Sequence, residues 1–226
     1  MDVWMAMDGW REGKRASFQE SDTTPPSFLT NNPFIHTSIR PSLLLPMPPF
    51  SIRPAVLHEK PQLEALIARS ARELSKGDYT AEQVEGALRG AFGVDTQLIC
   101  DATYFVAEQD GRIVGCGGWS HRKTLFGSDA RADREPGELD PRSDAAKIRA
   151  FFVDPDYARR GIGRAILEEC ERAALAHGFR RFEMMATLPG VRLYEVCGYV
   201  AEERVTYPLG PDLTIEFVRM VKPPTK

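Results

Sequence analysis

Cysteine is scarce in this chain and never closely spaced. Cys100, Cys116, Cys170 and Cys197 lie far apart, with no Cys-x-x-Cys pair among them. That spacing argues against a zinc ribbon or a dithiol redox centre, and no metal is expected. Long apolar runs are missing too. None approaches the roughly 18 residues that a membrane-spanning helix needs, and Leu43-Leu44-Leu45 runs into prolines. The first residues carry acids early and lack the apolar stretch of a secretory signal, so the expected location is cytoplasmic, with no membrane partner. Nor does one sign of charge dominate. A formal net charge of −3 over 226 residues gives no hint of a nucleic-acid partner. The Gly-Lys-Ser/Thr ending of a nucleotide P-loop is absent, and there is no internal repeat.

Proline, by contrast, is concentrated at one end. Pro25, Pro26, Pro33, Pro41, Pro46, Pro48 and Pro49 fall close together, with Ser, Thr and Asn between them. Such a segment buries too little apolar surface to offset its ordering entropy, so residues 1–48 are expected to be a disordered extension. The remainder, 49–226, reads as one domain. Phe50-Ser51-Ile52-Arg53 alternates as a first strand, ended by Pro54. Leu63, Leu66, Ile67 and Leu74 mark a helix over 58–74, with Pro61 in its first turn. Thr80-Ala81-Glu82-Gln83 is a capping box opening a helix over 81–91.

Strands follow over 103–107 and 113–120, joined by a turn with the Asp110-Gly111 signal. Gly115, Gly117 and Gly118 in the second of them invite a bulge or a close contact. Residues 122–144 have no period, and a loop that long is usually functional. Further strands are expected over 145–153, 181–186, 199–207 and 213–221, with helices over 162–177 and 189–196. That order predicts an α/β (α+β) domain: a mixed, largely antiparallel seven-stranded sheet with helices on both faces.

The stretch with the clearest chemistry is Arg159-Arg160-Gly161-Ile162-Gly163-Arg164, between a strand and a helix. In that helix Ile162, Ile166, Cys170, Ala173, Ala174 and His177 form one apolar stripe. The first turn of a helix has unpaired N–H groups and about half a positive charge. Glycines allow close approach, and three arginines add fixed charge, so the loop suits a phosphate or pyrophosphate. A dinucleotide fold would need a third glycine where Ile166 stands, and glycines directly after the strand rather than seven residues later.

The run Phe152-Val153-Asp154-Pro155-Asp156-Tyr157-Ala158-Arg159-Arg160-Gly161-Ile162-Gly163 resembles motif A of the GNAT superfamily, the Gcn5-related N-acetyltransferases. Leu193-Tyr194-Glu195-Val196-Cys197-Gly198-Tyr199 resembles the same family's motif B. The resemblance spans about three quarters of the chain. It implies an acyl-CoA N-acyltransferase fold, acetyl-CoA as cosubstrate and an amine acceptor. The amides of Arg159, Arg160, Gly161, Ile162, Gly163 and Arg164 would then hold the pyrophosphate. Backbone groups of Phe151 and Val153, with Phe152 between them, would pair with pantetheine, and the strands 145–153 and 181–186 would splay to admit it. An amide near Val153 would polarise the thioester, and Tyr194 would act as general acid towards the thiolate.

Three positions depart from the family's pattern. Ala158 stands at a Gln/Arg position, and Leu188-Pro189-Gly190 at a place where asparagine is frequent. Lys147 stands where several relatives carry a general-base glutamate, which leaves the base unassigned among Glu183, Asp144, His121 and Asp101. The acceptor pocket is expected from the two helices over 58–74 and 81–91, residues 119–122, the loop 122–144 and the turn between the last two strands. The leading expectation is direct transfer of acetyl from acetyl-CoA to a primary amine, with a small-molecule acceptor, by a monomer or homodimer. The alternative is a non-catalytic acyl-CoA sensor.

Overall fold

The computed structural model describes residues 49–131 and 135–224; the extension expected over 1–48 lies outside them. The elements run β1 Ser51–Pro54, α1 Lys60–Leu74, α2 Ala81–Ala87, α3 Thr96–Cys100, β2 Tyr104–Gln109, β3 Arg112–Ser120, β4 Ala146–Val153, α4 Ile162–Ala176, β5 Phe182–Thr187, α5 Val191–Val196, β6 Val200–Pro208 and β7 Thr214–Lys222. Seven strands form one sheet in the order β1-β2-β3-β4-β5-β7-β6. Every pairing is antiparallel except β4 with β5.

Both faces of the sheet are covered, and strand alternation divides the side chains between them. In β2, Phe105 and Ala107 join the core under α4, while Tyr104 and Val106 join the core under α1, α2 and α3. In β7, Val218 and Met220 take the first side, and Ile215 and Phe217 the second. The α4 stripe packs as its spacing predicts through Ile162, Ile166, Cys170 and Ala174, whereas His177 is exposed. Bare backbone on β3 permits this approach. A Cβ at Gly115 would stand 2.7 Å from Ile162, and one at Gly117 2.8 Å from the Phe151 ring.

Several elements differ from expectation for identifiable reasons. Helix α2 ends at Ala87 rather than 91, because the chain turns there and the Phe92 N–H donates to the Ala87 carbonyl at 2.8 Å. That turn carries Phe92 into the core. Helix α3 escapes a periodicity search because five residues are too few to show a stripe; its start is marked only by Asp95, whose side chain accepts from the Gln97 N–H. Pro54 ends inside β1, which pairs with β2 alone, and an edge strand tolerates the missing donor. Leu74 is not in the core but 38% exposed, on the rim of the cleft described below. No helix among the described residues is long and apolar enough to cross a membrane.

Candidate active site

The site begins where two strands stop pairing. β4 and β5 are joined through Ala146↔Phe182, Lys147↔Glu183 and Ile148↔Met184, and no further. Beyond that rung β4 continues with β3 as far as Val153↔Gly115, and β5 continues with β7 as far as Thr187↔Phe217. The parting coincides with a bulge in β4. Between the Cys116↔Phe152 and Gly118↔Arg149 pairs, Ala150 and Phe151 oppose Gly117 alone, and Ala150 has φ 56°. Such a bulge bends its strand. The Tyr104 hydroxyl fastens it from below by donating to the Ala150 carbonyl at 3.2 Å.

Past β4 the chain is pinned before it reaches α4. Asp154, almost fully buried, caps the short turn Pro155–Tyr157 through the Asp156 N–H. The Arg69 guanidinium holds it at 2.8 Å and Arg112 at 3.2 Å. Gly161 then provides the N-cap of α4 with φ 84°, a conformation that costs glycine little, and no side chain caps the helix. The N–H groups of the first turn are therefore left for a ligand. Arg160 lies over the Tyr157 ring at 5.1 Å, and Arg164 pairs with Glu168 at 2.8 Å in solvent. Arg159 has φ 64° and is exposed.

Of the residues expected to hold the cosubstrate, Phe151, Phe152, Val153, Arg159, Gly161, Ile162, Gly163 and Arg164 line one cleft of about 230 Å³; Arg160 does not. Its other wall includes Ser70, Ala71 and Leu74 of α1. Ser70 went unnoticed in the sequence. Its signal was a polar residue inside the apolar stripe of a helix. It is buried, and the Val153 N–H donates to its Oγ at 3.2 Å, so the amide expected to face a thioester already has a partner.

Tyr194 lies at the inner end of this cleft, on α5, and is 7% exposed. Its ring meets Phe151 edge-on with centroids 6.2 Å apart, and Tyr199 at 6.0 Å. Its hydroxyl makes no hydrogen bond among the described residues. Burial pushes the phenol well above its usual pKa, helped by the nearby Cys170 and Cys197 thiols. A second recess, of about 60 Å³, meets the cleft there; Phe92, Phe151, Phe152, Thr187 and Tyr194 line both.

None of the four carboxylate or imidazole candidates for the base lines either cavity. Glu183 shares a strand face with Met185 and Thr187, but it sits on a rung where β4 and β5 are still joined, 3.0 Å from Lys147 Nζ. The Asp144 carboxylate accepts from the Asp140 N–H at 2.8 Å and so closes a turn. Asp101 holds the Arg122 guanidinium at 2.7 and 2.8 Å, which lowers the pKa of its carboxyl. The His121 ring stacks on His177, 3.7 Å from Asp101. Residues 119–122, expected around the acceptor, instead pack elsewhere: Trp119 sits against His177 and Phe179. From the loop 122–144 it is Phe126 and Gly127 that reach the recess.

Comparison with known proteins gives this geometry a family. No curated protein matches the chain. Among solved structures, the GCN5-related N-acetyltransferase of Rhodopseudomonas palustris, named Aminotransferase, Class-II, superposes with a TM-score of 0.57 at 20% identity, covering 77% of this chain and 95% of that one. The PaiA N-acetyltransferase of Thermoplasma acidophilum, solved with coenzyme A, gives 0.53 at 14% identity over 77% and 98%. The ribosomal-protein-S18-alanine N-acetyltransferase of Escherichia coli gives 0.50 at 17% identity over 78% and 95%. At such identities these likenesses establish the fold. The sequence pattern of the acetyltransferase (GNAT) family matches residues 69–199, from Arg69 on α1 through the pinned loop and α4 to Tyr199, which is more than half of the chain's 226 residues. The chain belongs to the acetyltransferase (GNAT) family.

Proposed function

We propose that the protein transfers an acetyl group from acetyl-CoA directly to the primary amine of a small molecule, both substrates being bound at once. The observation that carries this reading is a continuous cleft. It runs from the uncapped N-terminus of a 15-residue helix, along the freed edge of β4, to the hydroxyl of Tyr194.

The residues fit the cosubstrate. The first-turn amides of α4 and the exposed Arg159 would take its pyrophosphate. The β4 edge that β5 leaves free offers backbone groups to the amide-bearing arm, in the manner of an added strand. The Val153 N–H, now on Ser70, is placed for a carbonyl if the serine turns aside. Acetyl-CoA supplies a thioester carbon open to attack; the amine nitrogen bonds to that carbon as the carbon–sulfur bond breaks.

Tyr194 serves the leaving sulfur. A phenol kept protonated by burial is a hydrogen-bond donor at every physiological pH. Its raised pKa makes it a weak acid, so its contribution is a hydrogen bond that strengthens as charge gathers on sulfur. The amine gives up one proton as the carbon–nitrogen bond forms and the sulfur takes up one as it leaves, so the protons balance overall while the phenol keeps its own. Removing one such donor typically costs about 10²–10³ in kcat.

Two measurements test this. Tyr194→Phe should lower kcat by about that factor with little change in the melting temperature, because the hydroxyl leaves no partner behind. Initial rates over a grid of both substrates should give intersecting lines. Parallel lines, the mark of a covalent acetyl-enzyme, would overturn direct transfer.

A further inference from the structure

We infer that the acceptor is a weakly basic amine on a compact aromatic body, seated across the mouth where an aromatic-walled recess meets the cosubstrate cleft at Tyr194; this rests on the transfer reading above. The recess has the volume of about four to six water-sized groups, less than a whole ring fills, and it opens into the cleft; a small ring fits only by using the recess together with that shared mouth, and a peptide segment does not fit. Its wall is built from Phe92, Phe126, Phe152, Met185 and Phe217, contributed by five separate parts of the chain.

These rings hold one another in place. Phe92 meets Phe152 and Phe217 edge to face, with centroids 5.8 and 6.1 Å apart. Phe126 is clamped between Phe217 at 5.5 Å and Tyr207 at 5.1 Å. The Arg131 guanidinium lies 4.3 Å above the Phe126 ring and donates to its carbonyl at 3.0 Å. The result is a box with fixed aromatic walls.

Charge selects further. Among the described residues lining the recess, the polar side chains are Arg149, Thr187 and Tyr194; no carboxylate or imidazole is present. Arg149 is bound from behind by Asp95 at 2.8 Å and donates to the Gly127 carbonyl at 2.9 Å. An ammonium entering here loses hydration and meets no counter-ion among the described lining residues, at an effective cost of several kcal/mol. Aromatic faces return at most about 2 kcal/mol to a desolvated cation. Arg131 already covers the Phe126 ring. An alkylamine with a lysine-like pKa of about 10.4 must shed its proton before binding and again lacks a base to help it. An aromatic amine arrives neutral, presents its lone pair, and fits edge and face against the box.

The test uses the full chain with saturating acetyl-CoA and measures thiol release from pH 6.5 to 9. Primary arylamines are compared with cyclohexylamine-type alkylamines of the same shape, with amino acids and with short peptides. The expected result is a kcat/KM for arylamines at least about tenfold above the matched alkylamines at pH 7 and nearly flat with pH. The alkylamine rate should climb about tenfold per pH unit as free amine accumulates. Met185→Glu, which puts a carboxylate in the wall, should narrow the preference; wild-type binding of an arylamine to the CoA-loaded protein, followed by calorimetry, serves if that variant does not fold. Preference for alkylamines, amino acids or peptides at pH 7 overturns the acceptor class and leaves direct transfer standing. Binding of acetyl-CoA with turnover of no amine overturns both.

Discussion

Lys147 Nζ lies 3.0 Å from Glu183 Oε2, one rung below the point where β4 and β5 part. The side chains are 12% and 13% exposed, and Arg219 approaches Glu183 from the other side at 3.4 Å. The lysine at a position where a base was sought is thus half of a cross-strand ion pair. Its position gives it a structural use, holding the closed end of the wedge whose open end is proposed to take the cosubstrate.

This relationship gives the first prediction. Glu183→Gln leaves Lys147 without its carboxylate and Arg219 with Glu202 alone, and should lower stability by about 1–3 kcal/mol in urea titrations, less than a fully buried pair because Arg219 keeps that partner and is partly solvated. The kcat should stay within about twofold of wild type. A hundredfold fall in kcat at unchanged stability would instead make Glu183 the base.

The packing of α5 gives the second. A Cβ at Gly190 would stand 2.9 Å from Cε2 of Tyr194, while the Gly190 φ of −83° suits any residue. Gly190→Ala therefore displaces the ring without straining the backbone. The kcat should fall about ten- to a hundredfold, the scale of a misplacement near 1 Å, with a smaller change in the KM for acetyl-CoA. A wild-type kcat in this variant would dissociate Tyr194 from the chemistry.

Alkaline pH gives the third. Burial raises the pKa of Tyr104, Tyr194 and Tyr199, of Tyr79 to about 12, and of the Cys116 thiol to about 12. Below their unfolded values of roughly 8.5–10 both states hold these protons, and the groups do not affect stability. Above them the unfolded chain releases protons that the folded chain keeps. Stability then falls with rising pH, by about 1.4 kcal/mol per unit for each group fully in that window. Melting temperatures should hold to about pH 8.5 and drop steeply by pH 11. A flat profile to pH 11 would mean that these groups are not buried as described.

Legibility differed with the range of the cause. The hairpin turn was visible because Asp110 and Gly111 carry it alone, and both have the positive φ that such a turn demands. The stripe of α4 and its glycine entry were visible because 15 residues give several turns of period. Helix α3 was not, being too short. The base candidates Glu183, Asp144, His121 and Asp101 were titratable residues that sequence alone does not place, and each has a partner in the fold away from the two cavities.

What the sequence determined by itself is the loop proposed as a phosphate cradle: a strand, a short turn, a left-handed glycine and a helix, all contiguous in the chain. What only the tertiary structure decided is where the cradle leads. The wedge depends on a bulge opposite Gly117, and the recess on Phe92, Phe126 and Phe217 meeting across more than a hundred residues of chain. Local propensity acts over a few residues, whereas these contacts exist only once the sheet has brought distant strands side by side.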